Sequence, residues 1–291
     1  MGNDGTVRTR DGRPLHAVVQ GSARSGPTVV FEAGMGASRS SWGAVAPKVA
    51  ERTTTVVYDR SGLGRSPADP APRDLRRLVD DHVDVLDHFA GKGLGPFVLV
   101  GHSWGGPIVR GAAARRPDLV AGLVLVDATD ELCDLITTTA NERMERWTRP
   151  LVPLAARLGL VKLVVRRLAA DLPEPARSEM LAEDGTVAAM RTHTAESAGS
   201  IADLRRLRAE PETLPDVPVT LITGTRASSK RARAQRAALT AAHRQRAESL
   251  PQGRHVPAPA SGHHVPLTDP ALVAEEVLRL VDAVGDTGAA G

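Results

Sequence analysis

A doubly wound, mostly parallel α/β sheet carrying an inserted helical segment is the architecture this chain predicts. Three observations predict it. Short apolar runs at 28–33, 54–58, 97–100, 123–126 and 217–224 alternate with stretches of helical spacing, the rhythm of strands buried between two helical layers. One of those runs ends abruptly in Gly101-His-Ser103-Trp-Gly105, a strand-to-helix turn with a serine at its apex. Between 131 and 213 the alternation stops, and a region rich in arginine, leucine and alanine takes over, broken by Pro150, Pro153, Pro173 and Pro175. The expected organisation is therefore a core in two parts, 1–130 and 214–291, with helices inserted at 131–213.

The elements follow in order. Val7 to Gly21 reads as a hairpin turned at Asp11-Gly12. Thr28–Ala33 is a buried strand closed by Gly34-Met35-Gly36, with a helix expected over 40–50. The next strand, 54–58, ends at Asp59-Arg60-Ser61-Gly62. Leu75, Leu78, Val79, His82, Val85, Leu86 and Phe89 share one helical face. After the Ser103 unit, Leu123–Val126 is again a buried strand, ending at Asp127. Leu151 to Leu168 is amphipathic with basic residues on its polar side; packing over the sheet is preferred to a membrane-surface role. A lone His193 in this region reads as structural. Arg254–Ala260 is an edge strand because of its prolines, 270–284 is a closing helix, and a frayed tail is expected over 282–291.

Composition narrows the function classes. The chain has 291 residues, 42% of them hydrophobic but only 2% aromatic, so alanine, valine and leucine must fill one large core. Cys133 is the sole cysteine, which excludes an intrachain disulfide. The polar N-terminus lacks an apolar signal region, and no apolar run approaches the roughly 20 residues of a membrane span. A cytoplasmic protein with no membrane span is expected. Eight Lys or Arg against one acid, Glu248, lie between Arg226 and Arg254. They alternate with alanine and lack aromatics for stacking, so a solvated helix face is preferred to a nucleic-acid surface, and a small molecule is the expected partner.

The chemistry centres on Ser103. A serine at such a turn projects from the end of the sheet, and the amide of Trp104, at a helix N-terminus, points to the same place, which suits an oxyanion. Acyl transfer also needs a base and an orienting acid. His102, His263 and His264 lie at the ends of strands; His102 has the wrong phase, and His263, following a glycine on the last loop, is the preferred base. No metal is expected, because the His263-His264 pair lacks further ligands at suitable spacing, and no cofactor is needed. A nicotinamide oxidoreductase is a rival, since Gly34-Met35-Gly36 and Asp59 mimic a dinucleotide fingerprint, but position 39 is Arg rather than the third glycine.

These motifs together resemble the α/β-hydrolase superfamily, in its serine esterase-like, capped form. Glu32-Ala-Gly-Met-Gly36, Tyr58-Asp-Arg-Ser-Gly-Leu-Gly-Arg-Ser66, Gly101-His-Ser-Trp-Gly-Gly106 and Ser261-Gly-His-His-Val-Pro-Leu-Thr-Asp-Pro270 occur in family order across nearly the whole chain outside the insertion. The resemblance implies Ser103 as nucleophile, His263 as base, the amides of Met35 and Trp104 as oxyanion hole, and the insertion as a cap. One piece departs from the pattern. The family's usual acid follows the strand ending at Gly224, where this chain has Thr225-Arg-Ala-Ser-Ser229. Asp216 is at the wrong end of its strand. Asp127 is the leading replacement and Asp130 the alternative. The expected reaction is ester hydrolysis through an acyl-enzyme; lactone, amide or carbon–carbon bond hydrolysis would use the same residues. A non-catalytic ligand-binding relative is the alternative of another class. Epoxide hydrolase and dehalogenase relatives are disfavoured because they use aspartate where Ser103 stands.

Overall fold

A computed structural model of the chain describes residues 2–21 and 26–288. Strands β1 (Asn3–Arg8) and β2 (Pro14–Gln20) form the expected hairpin, beginning four residues earlier than the alternation suggested. Gly12 turns it at φ +86°. β3 (Thr28–Glu32) is followed by a 3-10 turn at Arg39–Trp42 and the short helix α1 (Ala46–Ala50), where one continuous helix had been expected. Two residues explain the break. Pro47 has no N–H to continue a helix from Gly43 and sits instead in the first turn of α1. Gly43 packs so closely that a Cβ on it would lie 2.0 Å from that of Ala176.

β4 (Thr55–Tyr58) leads to α2 (Leu75–Ala90), which is capped by Asp74 accepting from the Arg77 amide. Then come β5 (Phe97–His102), α3 (Gly105–Arg115) and β6 (Val120–Val126). Residues 131–213, expected as the insertion, hold α4 (Thr139–Thr148), α5 (Leu151–Arg157), α6 (Leu160–Leu168), α7 (Ala176–Glu183), α8 (Val187–Ser197) and α9 (Ser200–Ala209) and no strand. The sheet resumes with β7 (Val219–Gly224), α10 (Lys230–Ser249), β8 (Gly253–Ala258), a short α11 (Val265–Thr268) and α12 (Pro270–Gly288). The frayed tail expected from 282 is corrected: α12 continues to Gly288, anchored by Val273, Val277, Leu280 and Val281 against the sheet. The rest of that tail, 289–291, lies outside the described residues.

Among the described residues the strands form one sheet in the order β1-β2-β4-β3-β5-β6-β7-β8. The β1–β2 and β2–β4 pairs are antiparallel and the others parallel. β8 is an edge, which leaves Pro257 without a ladder bond to lose. Leu78, Leu86, Ile108 and Ala112 of α2 and α3 cover one face. Val49 of α1 and Val273, Val277 and Leu280 of α12 cover the other. The carboxyl ends of β3, β5 and β6 thus deliver the loop after Glu32, Ser103 and Asp127 to one rim.

The insertion departs from expectation in one respect. Val152 and Ala156 of α5 and Val161 and Val165 of α6 pack inward. The leucines that shaped the amphipathic pattern, Leu151, Leu154, Leu158, Leu160 and Leu163, are 51–68% exposed. The inward face is made of smaller and β-branched side chains that fit a close approach to α8.

Candidate active site

The turn around Ser103 is built by close packing. A Cβ on Gly101 would lie 2.6 Å from the carbonyl oxygen of Gly105, and one on Gly105 would lie 2.5 Å from that of Glu32. Only glycine lets β5, α3 and β3 meet this tightly. Ser103 itself is held at φ +53°, a region costly for a residue with a side chain. Its amide donates to Val126 O (3.2 Å), and its carbonyl accepts from Thr129 N (2.8 Å) and Gly106 N (3.0 Å). Both backbone groups of Ser103 are therefore tied to the end of β6 or to the residues just beyond it.

Asp127 also adopts positive φ, +42°, just beyond β6. That conformation directs its carboxylate toward the last loop, where His263 Nδ1 stands 2.7 Å from Oδ2. The Gly224 amide donates to Oδ1 at 2.9 Å, so the end of the next strand supplies a hydrogen bond where the family pattern would have led to an acid. Arg236, on α10, donates from Nη1 to both carboxylate oxygens at 2.8 and 2.6 Å. Burial pushes the Asp127 carboxyl upward, but His263 and Arg236 outweigh it and hold the group below the usual carboxylate range. Asp130 faces elsewhere, its two oxygens taken by Arg246 at 2.6 and 2.8 Å.

Arg236 and Arg246 belong to the basic stretch expected to be a solvated face. Both are largely buried, 18% and 13% exposed, against the acids that end β6. Their spacing of ten residues along α10 leaves them about 80° apart around the helix, within reach of the face that buries Leu239 and His243.

The ring of His102 lies beside that of His263, centroid to centroid 5.0 Å. Its Nε2–H donates to the backbone carbonyl of His263 at 2.9 Å, so the residue before Ser103 fixes the loop that carries the candidate base. Burial, reinforced by His263, lowers His102 to about 3 and His264 to about 4, leaving both neutral rings at physiological pH.

The loop Gly34-Met35-Gly36 is set by a buried ionic cluster. Arg60 donates to Ala33 O and Gly34 O, each at 2.8 Å, and to Glu32 Oε1 at 2.6 Å. Its Nε and Nη2 reach Glu196 of α8, both at 2.8 Å, and the Gly36 amide donates to Glu196 Oε2 at 2.9 Å. The far side of Glu32 receives the Tyr58 hydroxyl and His82 Nδ1. Burial raises the Glu32 carboxyl, yet Arg60 and then His82 and Tyr58 bring it below the ordinary range. Neither the Met35 nor the Trp104 amide has a hydrogen-bond partner among the described residues.

Ser103, Met35 and His263 line a cavity of about 420 Å³ roofed by α6, α7 and α8. Val161, Val165, Leu168, Met180 and Met190 make most of it apolar. Two polar groups from the insertion enter it. Asp184 is buried and accepts from the Ser38 amide at 3.2 Å; burial raises its carboxyl to about 7. His193 packs against Gly36, and its Nδ1 is buried without a partner among the described residues. The sequence reading of His193 as structural gave no sign that it faces the same cavity as Ser103, because α8's register against the core is set by packing.

The family model for the alpha/beta hydrolase family matches residues 29–276. A provisionally named carbamate hydrolase, RutD of Caulobacter vibrioides, is 36% identical over 124 residues, 42% of this chain and 44% of its own length. The sn-1-specific diacylglycerol lipase ABHD11 of Danio rerio is 29% identical over 157 residues, 53% of this chain and 46% of its own. The chain spans about half the length of the curated relatives it matches. Among solved structures, a provisionally assigned epoxide hydrolase from Pseudomonas aeruginosa superposes with a TM-score of 0.71 at 19% identity, over 98% of this chain and 97% of that one. Epoxide hydrolase CorEH gives 0.68 at 19%, over 98% and 100%. At these identities the structural likeness establishes the fold. With the family match extending over most of the sequence, from β3 into α12, the chain belongs to the alpha/beta hydrolase family.

Proposed function

We propose that the protein is a serine hydrolase that cleaves a small carboxylic ester through an acyl-enzyme, with Ser103, His263 and Asp127 as triad. The observation that carries this reading is the 2.7 Å approach of His263 Nδ1 to Asp127 Oδ2, with Ser103 and His263 on one cavity. A histidine that donates its Nδ1 proton to a carboxylate keeps Nε2 as the acceptor, the tautomer a general base requires.

In this reading Ser103 Oγ attacks the ester carbonyl and its proton passes to His263 Nε2. The Met35 and Trp104 amides, without another hydrogen-bond partner among the described residues, donate to the tetrahedral oxyanion. The intermediate collapses, and the departing alkoxide takes the proton from His263 to leave as alcohol. Water then attacks the acyl group, giving its proton to His263, and Ser103 departs with that proton as the acid is released. Asp127 holds the imidazole and stabilises its cationic form throughout. The inserted helices act as a cap over the reacting groups.

The apolar lining favours an aliphatic acyl or alcohol group of modest size. The names of the relatives, a carbamate hydrolase and a diacylglycerol lipase, both denote attack at a carbonyl and are compatible with this machinery. Ser103, in place of the aspartate expected of epoxide hydrolases, separates the reading from the structural neighbours. The test is intact-protein mass after treatment with a fluorophosphonate. One adduct on the wild type and none on Ser103→Ala is the expected result. Folded wild-type protein that takes no adduct would favour a non-catalytic ligand-binding role.

A further inference from the structure

We infer that the outer face of α5 and α6, with Trp147 at the end of α4, docks on an anionic lipid surface. Among the described residues, the strongly exposed large apolar side chains all fall in the insertion, between Leu135 and Leu181. Trp147 is 79% exposed, Leu158 68%, Leu163 60%, Leu151 57% and Leu160 54%. Leu151, Leu154 and Leu158 are spaced i, i+3, i+7, and Leu160 and Leu163 continue the pattern on α6. Their helices already bury another face: Val152 and Ala156 on α5, Val161 and Val165 on α6. On each helix the leucines therefore leave a second apolar side exposed, clustered within one stretch of chain rather than scattered singly over the surface.

Charge identifies what covers it. From Trp147 to Leu168 there are five Lys or Arg and no acid. Arg157, Lys162, Arg166 and Arg167 are exposed and form no ion pair among the described residues. A second copy of the chain docking face to face would bring two such sets together, which like-charge repulsion opposes. Anionic headgroups meet the cations, and the leucines and Trp147 reach the acyl boundary below them, as an interfacial helix pair does. No helix among the described residues is long and apolar enough to cross a membrane, so the contact is peripheral.

The face adjoins the cavity. Val164 is 58% exposed and also lines the space that holds Ser103. Docking would bring that rim to the lipid, so an apolar ester dissolved there would enter beside Val164; this last step rests on the proposed role of Ser103, whereas the docking does not.

Trp147 is the reporter, because Trp42 and Trp104 are buried. Vesicles of phosphatidylcholine alone are compared with an equal mixture of phosphatidylcholine and phosphatidylglycerol, following tryptophan emission and co-sedimentation. The expected result is a blue shift and pelleting with the mixed vesicles only. Partitioning should fall by about tenfold or more in Leu160→Asp/Leu163→Asp and in Arg166→Glu/Arg167→Glu, and in high salt. These side chains lie outside the core, and unchanged thermal melts establish that the variants fold. Absence of binding, or equal binding to neutral vesicles, would overturn the proposal. So would self-association of the free protein that Leu163→Asp abolishes, which would assign the face to a second copy. Fluorophosphonate labelling in the same samples reports Ser103 separately: labelling without docking removes only this inference, and docking without labelling removes only the hydrolase reading.

Discussion

Arg236 reaches from α10 to place Nη1 2.6 Å from Oδ2 of Asp127, the oxygen that His263 Nδ1 approaches from the other side at 2.7 Å. The candidate triad acid is thus shared between a base and a permanent cation. That guanidinium is one of the groups that hold the buried carboxyl below the ordinary carboxylate range. Arg236→Gln leaves the Asp127 charge buried with one cation fewer and should cost about 2–4 kcal/mol in urea unfolding at pH 7, the cost shrinking as pH falls through the carboxylate range and the group is protonated. Denaturation curves of wild type and variant at neutral and acidic pH are the check. A cost independent of pH would mean that the Arg236 charge does not act through Asp127.

Asp127→Asn should lower kcat by about 10⁴-fold, because the amide can present its NH₂ to His263 and favour the wrong tautomer. Asp130→Asn should leave kcat within a few-fold of wild type, since that carboxylate is bound to Arg246 and not to the histidine loop. Steady-state kinetics of the two variants on one aryl ester check both statements. A reversed order would make Asp130 the acid.

Glu196 ties α8 to the backbone of the proposed oxyanion loop through Gly36 and Arg60. Glu196→Ala leaves the buried Arg60 short of a carboxylate and should cost about 3–5 kcal/mol in urea unfolding. Glu196→Gln can keep an oxygen toward Gly36 while losing charge. It should retain KM but lower kcat by about tenfold as the loop loosens. Equal loss of stability with untouched kcat would confine Glu196 to a structural role.

Asp184 is buried with its carboxyl raised to about 7, burial being the main cause and the nearby Asp59 and Glu183 adding to it. Between its ordinary value near 3.8 and about 7, the unfolded chain has released the proton and the folded chain retains it. Stability should therefore fall as pH rises through that window. Asp184→Asn keeps an acceptor for the Ser38 amide and removes the titration. It should be more stable than wild type by about 2–4 kcal/mol at pH 8, with the gain shrinking toward pH 4. Parallel denaturation curves for the two proteins across this range are the check.

Much of the fold and part of the site were written in local patterns. The alternation of apolar strands and helices, the glycines around Ser103 and the Ser261-Gly-His263 loop are short-range features. Period and turn chemistry act over a few residues, so they are visible without knowing what lies opposite. The prolines likewise placed the edge strand. The same local rules misjudged 40–50 and the continuation of α12, where Gly43's contact with Ala176 and burial of Val281 settled the outcome.

Long-range packing chose the partners. His263 and Asp127 are 136 residues apart in the chain, Arg236 and Asp127 are 109, and Arg60 and Glu196 are 136. At such separations no spacing rule links the residues. The sequence favoured Asp127 over Asp130 but left both open, and the structure parts them: at positive φ Asp127 meets His263 of the last loop, while Arg246 holds Asp130. In the same way, the hydrophobic pattern of α5 and α6 announced an apolar face, but the register of their contact with α8 sent the leucines outward and the valines to the cavity. Pattern sets which residues are apolar; the side on which each one is covered depends on what the rest of the chain packs against it.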